Sequence, residues 1–196
     1  MDIKLIFGFG SSLIILLSFI PYIRDILNKK TEPHTYSWLI WGILQVIAAV
    51  AQVKNGAGYG SWSSIIISII CFLIVLLSLK NGLKNITKFD SFCLILSLVV
   101  IVVYIMIKNP VWAILMAIGI NLMGLLPTLI KVYKKPQSET PETFAMGVIA
   151  TFLSLLALQN YTLVTTLYLT YTMFANLFLT IVIVWRKEKI KCKAGL

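Results

Sequence analysis

Apolar residues fall in seven long blocks: Ile3 to Tyr22, Tyr36 to Val53, Ser61 to Leu79, Phe89 to Ile107, Val111 to Ile130, Glu142 to Leu158 and Leu163 to Trp185. Every break between them carries charge, Gly, Pro or Asn. A helix needs about 20 apolar residues to cross a hydrocarbon core of roughly 30 Å. Seven blocks near that length predict an all-α integral membrane protein with seven transmembrane helices, joined by short loops that leave no room for a soluble catalytic domain. Lys4 stands at the head of the first block as a basic residue would in a signal peptide, but no small-residue cleavage site follows. The block is read as a retained helix.

Composition agrees with the pattern: 59% of the 196 residues are hydrophobic and 12% are charged, with a mean hydropathy of +0.94. Soluble domains carry roughly 25% charged residues. The net charge of +10 would suit nucleic acid, but its placement argues for topology instead. Arg24, Lys29 and Lys30 follow helix 1; Lys80, Lys84 and Lys88 follow helix 3; Lys131, Lys134 and Lys135 follow helix 5. Arg186, Lys187, Lys189, Lys191 and Lys193 end the chain, leaving Lys4, Lys54 and Lys108 for the other face. Short basic loops stay cytoplasmic, so the N-terminus is expected outside and the C-terminus in the cytoplasm. The partners expected are the lipid bilayer and a small-molecule solute, with no nucleic acid; a homo-oligomer stays open. Cys71, Cys93 and Cys192 make no disulfide or metal pattern, and no cofactor or metal is expected.

The first and last thirds of the chain repeat one another. Pro21-Tyr-Ile-Arg-Asp-Ile-Leu-Asn-Lys-Lys-Thr-Glu-Pro33 leads into Tyr36-Ser37-Trp38, and Pro127-Thr-Leu-Ile-Lys-Val-Tyr-Lys-Lys-Pro-Gln-Ser-Glu-Thr-Pro141 leads into Glu142-Thr143-Phe144. Both segments hold a Pro near a helix end, a Lys-Lys pair, an acidic residue beside Thr, and a Pro opening the next helix. Helices 1 to 3 then correspond to helices 5 to 7. An odd number of crossings separates them, which makes two parallel three-helix bundles joined by linker helix 4, a 3+1+3 arrangement. The expected boundaries are 1–82 and 110–186 for the repeats, 83–109 for the linker and 187–196 for a basic cytoplasmic tail.

On these two Pro-to-Pro segments and the 3+1+3 count the chain resembles the PQ-loop superfamily, which includes the SWEET and SemiSWEET sugar transporters. It also resembles small bacterial PQ-loop proteins of unassigned substrate, through Thr31-Glu32-Pro33-His34, Ser37-Trp38, Pro127-Thr128, Lys131 and Tyr133. The usual Pro-Gln pairs are here Pro21-Tyr22 and Pro127-Thr128. The resemblance implies a seven-helix transporter, in a bacterial inner membrane, that moves a small polar solute such as a sugar by alternating access.

Polar side chains are costly in hydrocarbon unless they face a partner or a cavity, so they mark the inward face of each helix. Isolated Ser and Thr residues also serve simply as packing positions. Asn121 and Asn176 stand out, because each brings donors and acceptors close to mid-membrane. Trp41 and Gln45 share a face of helix 2, where the indole can stack on a ring. Trp62, Trp112 and Trp185 sit at helix ends as an aromatic belt would. Tyr168 and Thr172 fall on the polar face of helix 7, and Ser68 on that of helix 3. In SWEET-like proteins an Asn of helix 7 pairs with one of helix 3 at the sugar; by that resemblance Asn176 is the helix-7 member and its partner position falls near Ser68. Pro21 and Pro127 each remove a backbone hydrogen bond and are candidate hinges, with Tyr22 and Asp25 beside the first. His34 reads as a solvated loop residue and Asp25 as a partner of Arg24 or Lys29.

No Asp, Glu, Lys, Arg or His lies in the middle of a block, which favours a passive facilitator over an ion-coupled carrier. A vitamin-precursor facilitator of the PnuC kind shares the 3+1+3 layout and is the alternative, together with a non-transporting seven-helix receptor. A retinal protein would need a Lys in helix 7. An enzyme is not expected: the chain has a single His and no paired carboxylates or nucleophile–base spacing.

Overall fold

The computed structural model describes residues 2–79, 86–106 and 110–193. The linker boundaries near 82 and 109, Lys80, Lys84 and Lys108, and the side chains of Tyr104, Ala113, Lys191, Cys192 and Lys193 lie outside the described residues. Among the described residues seven α-helices follow one another: α1 (Ile3–Leu27), α2 (Thr35–Lys54), α3 (Trp62–Ser78), α4 (Lys88–Met106), α5 (Pro110–Lys134), α6 (Pro141–Leu156) and α7 (Leu163–Lys193). Two 3₁₀ turns, Gly58–Ser61 and Pro136–Ser138, precede α3 and α6.

Local chemistry starts these helices where polar residues interrupt the apolar pattern. The Asp2 carboxylate accepts a 3.0 Å bond from Lys4 N at the start of α1. His34 caps α2 through Nδ1, which accepts from Ser37 N at 3.4 Å. Thr87 and Asp90 form a reciprocal capping box at α4: Asp90 Oδ2 accepts from Thr87 N at 2.7 Å and Thr87 Oγ1 from Asp90 N at 3.2 Å. Pro141 opens α6, where its missing N–H costs nothing. Pro21 and Pro127 instead lie inside α1 and α5, and both helices continue past them.

Among the described residues five helical stretches are long and apolar enough to cross a membrane: Ile3–Leu27, Thr35–Lys54, Gly58–Ser78, Leu115–Lys134 and Leu163–Ile190. Helix α6 is apolar but has only 16 residues and ends at Leu156, not Leu158. Helix α7 runs on through Lys193, so the expected separate tail is at least in part a continuation of that helix. The surface is covered with large apolar side chains, among them Phe9, Ile69, Leu76 and Met106, while Ser11, Ser37, Gln52, Ser64, Thr143 and Ser154 are buried. So large an exposed apolar surface is unusual for a water-soluble monomer.

Helix α3 packs against α1 and α2, and α7 packs against α5 and α6. Across the middle α1 lies on α6 and α2 on α5, with lesser contacts of α3 to α6 and α2 to α7. Exchanging α1, α2 and α3 for α5, α6 and α7 maps this set of pairings onto itself. Helix α4 packs outside, against α5 and the adjoining side of α2.

The two ends of the bundle are tied differently. At the end formed by Asn55–Ser61 and Ala157–Thr162, the far end, Ser154 Oγ lies 2.6 Å from both Ser11 Oγ and Ser63 Oγ, joining α6 to α1 and α3. Gly56 and Gly58 turn the chain there at φ 73° and 58°, with Asn160 and Gln159 packed where a Cβ would stand. At the other end, the loop end, the segments 28–34 and 135–140 meet: Glu32 N donates to Ser138 O, and Thr31 Oγ1 lies 2.6 Å from Thr140 Oγ1.

Candidate functional site

Between these ends lies a cavity of ≈ 680 Å³, counting the part open to solvent. Within it ≈ 80 Å³ is free for water-sized molecules, less than the about 300–1,000 Å³ of small-molecule sites. Six helices build its wall: Ile15, Ser18 and Phe19 from α1, Trp38, Trp41 and Gln45 from α2, Ile67 and Cys71 from α3, Asn121 and Leu125 from α5. Thr143, Phe144, Gly147 and Thr151 come from α6, and Thr172, Ala175, Asn176 and Leu179 from α7. No wall residue among those described is charged, and none comes from α4.

Hydrogen bonding inside the wall decides what it offers a ligand. The Ser18 hydroxyl donates to Ile15 O at 2.7 Å, Thr143 to Ser18 O at 2.9 Å, and Thr151 and Thr172 to Gly147 O and Tyr168 O at 2.8 Å each. Their protons are committed, so their oxygens face the cavity as acceptors. Both indoles are committed too: Trp38 Nε1 donates to Tyr22 Oη at 3.1 Å and Trp41 Nε1 to Asn121 O at 3.4 Å. Free N–H donors must come from the three amides. Asn121 Oδ1 accepts from Tyr171 at 3.3 Å, and Gln45 Oε1 is buried without any hydrogen-bond partner.

Two glycines make room for this arrangement. A Cβ on Gly124 would stand 2.7 Å from Trp41 Nε1, so glycine lets the indole lie against α5. A Cβ on Gly147 would stand 3.3 Å from Asn176 Nδ2, and the amide lies over α6 there.

Of the expected binding residues the structure brings Asn121, Asn176, Trp41, Gln45 and Thr172 to one cavity. It leaves out two. Ser68 is buried and donates to Ile65 O at 2.6 Å, because α3 turns Ile67 and Cys71 inward instead. Tyr168 packs in a separate apolar cluster with Ile40, Leu44 and Ile120, its hydroxyl unpartnered. Asn176 therefore meets α6 at Gly147 and not Ser68.

No protein-family profile, curated protein or solved structure matches the chain. The site is accordingly read from its own chemistry.

Below the cavity the loop end is closed by packed aromatics. Tyr22 lies with its ring centre 5.2 Å from that of Trp38 and 6.3 Å from those of Phe19 and Phe144. Of the expected hinge residues, Tyr22 thus belongs to this layer, directly after Pro21. Asp25 binds Arg24 at 3.3 Å, as its neighbours suggested, and also accepts from Thr140 Oγ1 at 3.1 Å. Pro127 precedes Thr128, whose buried hydroxyl has no partner.

His34 corrects another expectation. It is buried, not solvated, because Nε2 lies 3.3 Å from Asp90 Oδ2 at the start of α4. Burial pushes its pKa below the usual histidine value, against the opposing pull of Asp90. With Nδ1 capping α2, the neutral ring carries its proton on Nε2 toward the carboxylate.

Sequence reasoning also missed Glu139. It is buried; its Oε2 accepts from Tyr22 Oη at 2.9 Å and its Oε1 pairs with Lys131, which also donates to Glu32 O. The signal was present in the paired Thr-Glu-Pro and Glu-Thr-Pro segments, but nothing local says that one carboxylate is buried. Among the described residues no three His, Cys, Asp or Glu side chains gather as a metal site would need.

Proposed function

We propose that the protein is an integral membrane transporter for a small, polar, uncharged solute, built from two equivalent three-helix units joined by α4. The observation that carries the proposal is the cavity itself: six helices contribute, three amides and four hydroxyls line it, and no charge does. Polar groups enclosed by an apolar-surfaced bundle need a use, since each costs free energy unless bonded or wet. The self-consistent pairing of α1–α3 with α5–α7 supports two rocking halves around a central site. The basic ends at Arg24, Lys131 and Arg186 support an orientation with the loop end in the cytoplasm.

Amide N–H groups set among hydroxyl acceptors and indole surfaces complement a solute bearing several hydroxyls, such as a sugar. With no charged side chain in the wall, downhill movement is the reading the cavity supports best. The test is uptake into proteoliposomes. Asn121→Ala and Asn176→Ala are expected to abolish uptake of a transported solute while the purified variants stay monodisperse; unchanged uptake in both would remove the cavity from the pathway.

The second reading, a vitamin-precursor facilitator, is favoured by one observation: two indoles, Trp38 and Trp41, share the wall with centroids 5.2 Å apart. A nucleoside-like compound would then raise the melting temperature at concentrations far below those a sugar needs.

A further inference from the structure

The loop end and the far end are closed by different chemistry, and the difference centres on one residue. Serine hydroxyls hold the far end. At the loop end Glu139, 1% exposed, reaches three helices at once. Its carboxylate takes the Tyr22 phenol of α1 and the Lys131 ammonium of α5, and its backbone oxygen takes Lys187 Nζ of α7 at 2.8 Å. The Tyr22 oxygen in turn accepts from Trp38 Nε1, and Trp38 is cavity wall. A continuous run of bonds thus leads from Lys131 through Glu139 and Tyr22 to the floor of the cavity.

We propose that Glu139 is the latch of the loop end: its carboxylate keeps the aromatic floor shut, and its release opens the cavity toward segments 28–34 and 135–140. The latch rests on the two-sided cavity proposed above, and it does not depend on which solute is carried. Glu139 belongs to the α5–α6 connection and Tyr22 to α1, so their bond crosses between the two halves of the molecule. Lys131 reinforces the same crossing, bonding Glu139 on one side and Glu32 O on the other. The neighbouring ties, Thr140 to Thr31 and Asp25, and Glu32 N to Ser138 O, all sit on residues adjoining Glu139 or Glu32. Loss of the carboxylate removes the charge that Lys131 and the phenol both address, and a half-broken buried network destabilises the closed arrangement.

The cavity carries its own reporter. Cys71 lines the wall from α3 and is fully enclosed. In a Cys93→Ser, Cys192→Ser chain it is the only thiol, and its alkylation by a small, membrane-impermeant methanethiosulfonate measures access. Reagent is added separately to each face of vesicles of known orientation. Glu139→Gln keeps the side-chain volume, and removal of one partner from a buried pair is expected to speed labelling from the loop-end face by about ten-fold or more, with the far-end rate unchanged. Tyr22→Phe, which removes only the hydroxyl, is expected to speed the same face by less. Unchanged labelling in both variants overturns the latch, and so does equal acceleration from both faces, which marks general loosening. A one-sided opening in a protein that moves no solute would keep the latch and reject the transport reading; solute uptake with no change in labelling would do the opposite.

Discussion

The phenol of Tyr22 and the carboxylate of Glu139 meet at 2.9 Å across 117 residues of chain. The bond joins the residue after the α1 proline to the residue two before the α6 proline, so the two Pro-bounded segments are fastened to one another. Tyr22→Phe leaves the aromatic packing in place and withdraws one donor from a buried carboxylate. Such a loss costs about 1–3 kcal/mol. Thermal unfolding of the detergent-purified protein should show a lower midpoint for Tyr22→Phe, and a still lower one for Glu139→Ala, which strands both Tyr22 and Lys131.

Gln45 sets stability against function. Its Oε1 is buried without a partner, so Gln45→Leu removes an unsatisfied polar atom and is expected to leave stability unchanged or raise it by about 1 kcal/mol. The same change removes an acceptor from the cavity wall. A higher melting temperature together with lost uptake is the expected result; lost stability would show that Gln45 is bonded through water as part of the framework.

Two glycines of α5 give opposite expectations from the same substitution. Gly124→Ala drives a methyl to within 2.7 Å of Trp41 Nε1 and must displace the indole from Asn121 O. Gly119→Ala meets nothing within 4 Å and gains helix propensity, up to about 1 kcal/mol. Uptake should fail in the first and persist in the second, whose unfolding midpoint should rise. Equal behaviour would mean that Trp41 does not rest on α5.

The pH dependence should carry the mark of His34. Its pKa in the fold lies below the ordinary 6.5, chiefly because burial penalises the imidazolium. The unfolded chain therefore takes up the proton more readily, so the stability His34 supports is complete above about pH 6.5 and is lost as pH falls from there through the folded value. Wild type should lose more stability than His34→Gln between about pH 7 and pH 5. A parallel loss in both would assign the pH dependence elsewhere.

Much of the fold was legible because long apolar blocks have few physical solutions. The central helix positions agree with the structure, and Asn121, Asn176 and Gln45 stood out in the sequence because an amide inside an apolar block is conspicuous; all three line the cavity. Reading apolar blocks failed at charged helix ends. Arg24 and Asp25 do not stop α1, and α7 runs through Arg186, Lys187 and Lys189, because these side chains suit helix ends and interfaces as well as loops. Ser68 lies outside the cavity wall because Ile67 and Cys71 take the inward face, which a polar stripe alone does not decide. Glu139 and the His34–Asp90 pair were invisible for a different reason. Their partners are distant in sequence, and a charged loop residue ordinarily stays in water.

Helix α6 spans 16 residues, about 24 Å at 1.5 Å per residue, against a hydrocarbon layer of roughly 30 Å. Its outer side chains Ile149 and Phe152 are exposed, while Gly147 and Thr151 on the same helix face the cavity. In a bilayer the lipid must pinch inward around this one helix, or the helix ends must draw toward the headgroups. There the shape of the cavity would be coupled to acyl-chain length, and thicker membranes would strain the wall that holds Asn176 in place.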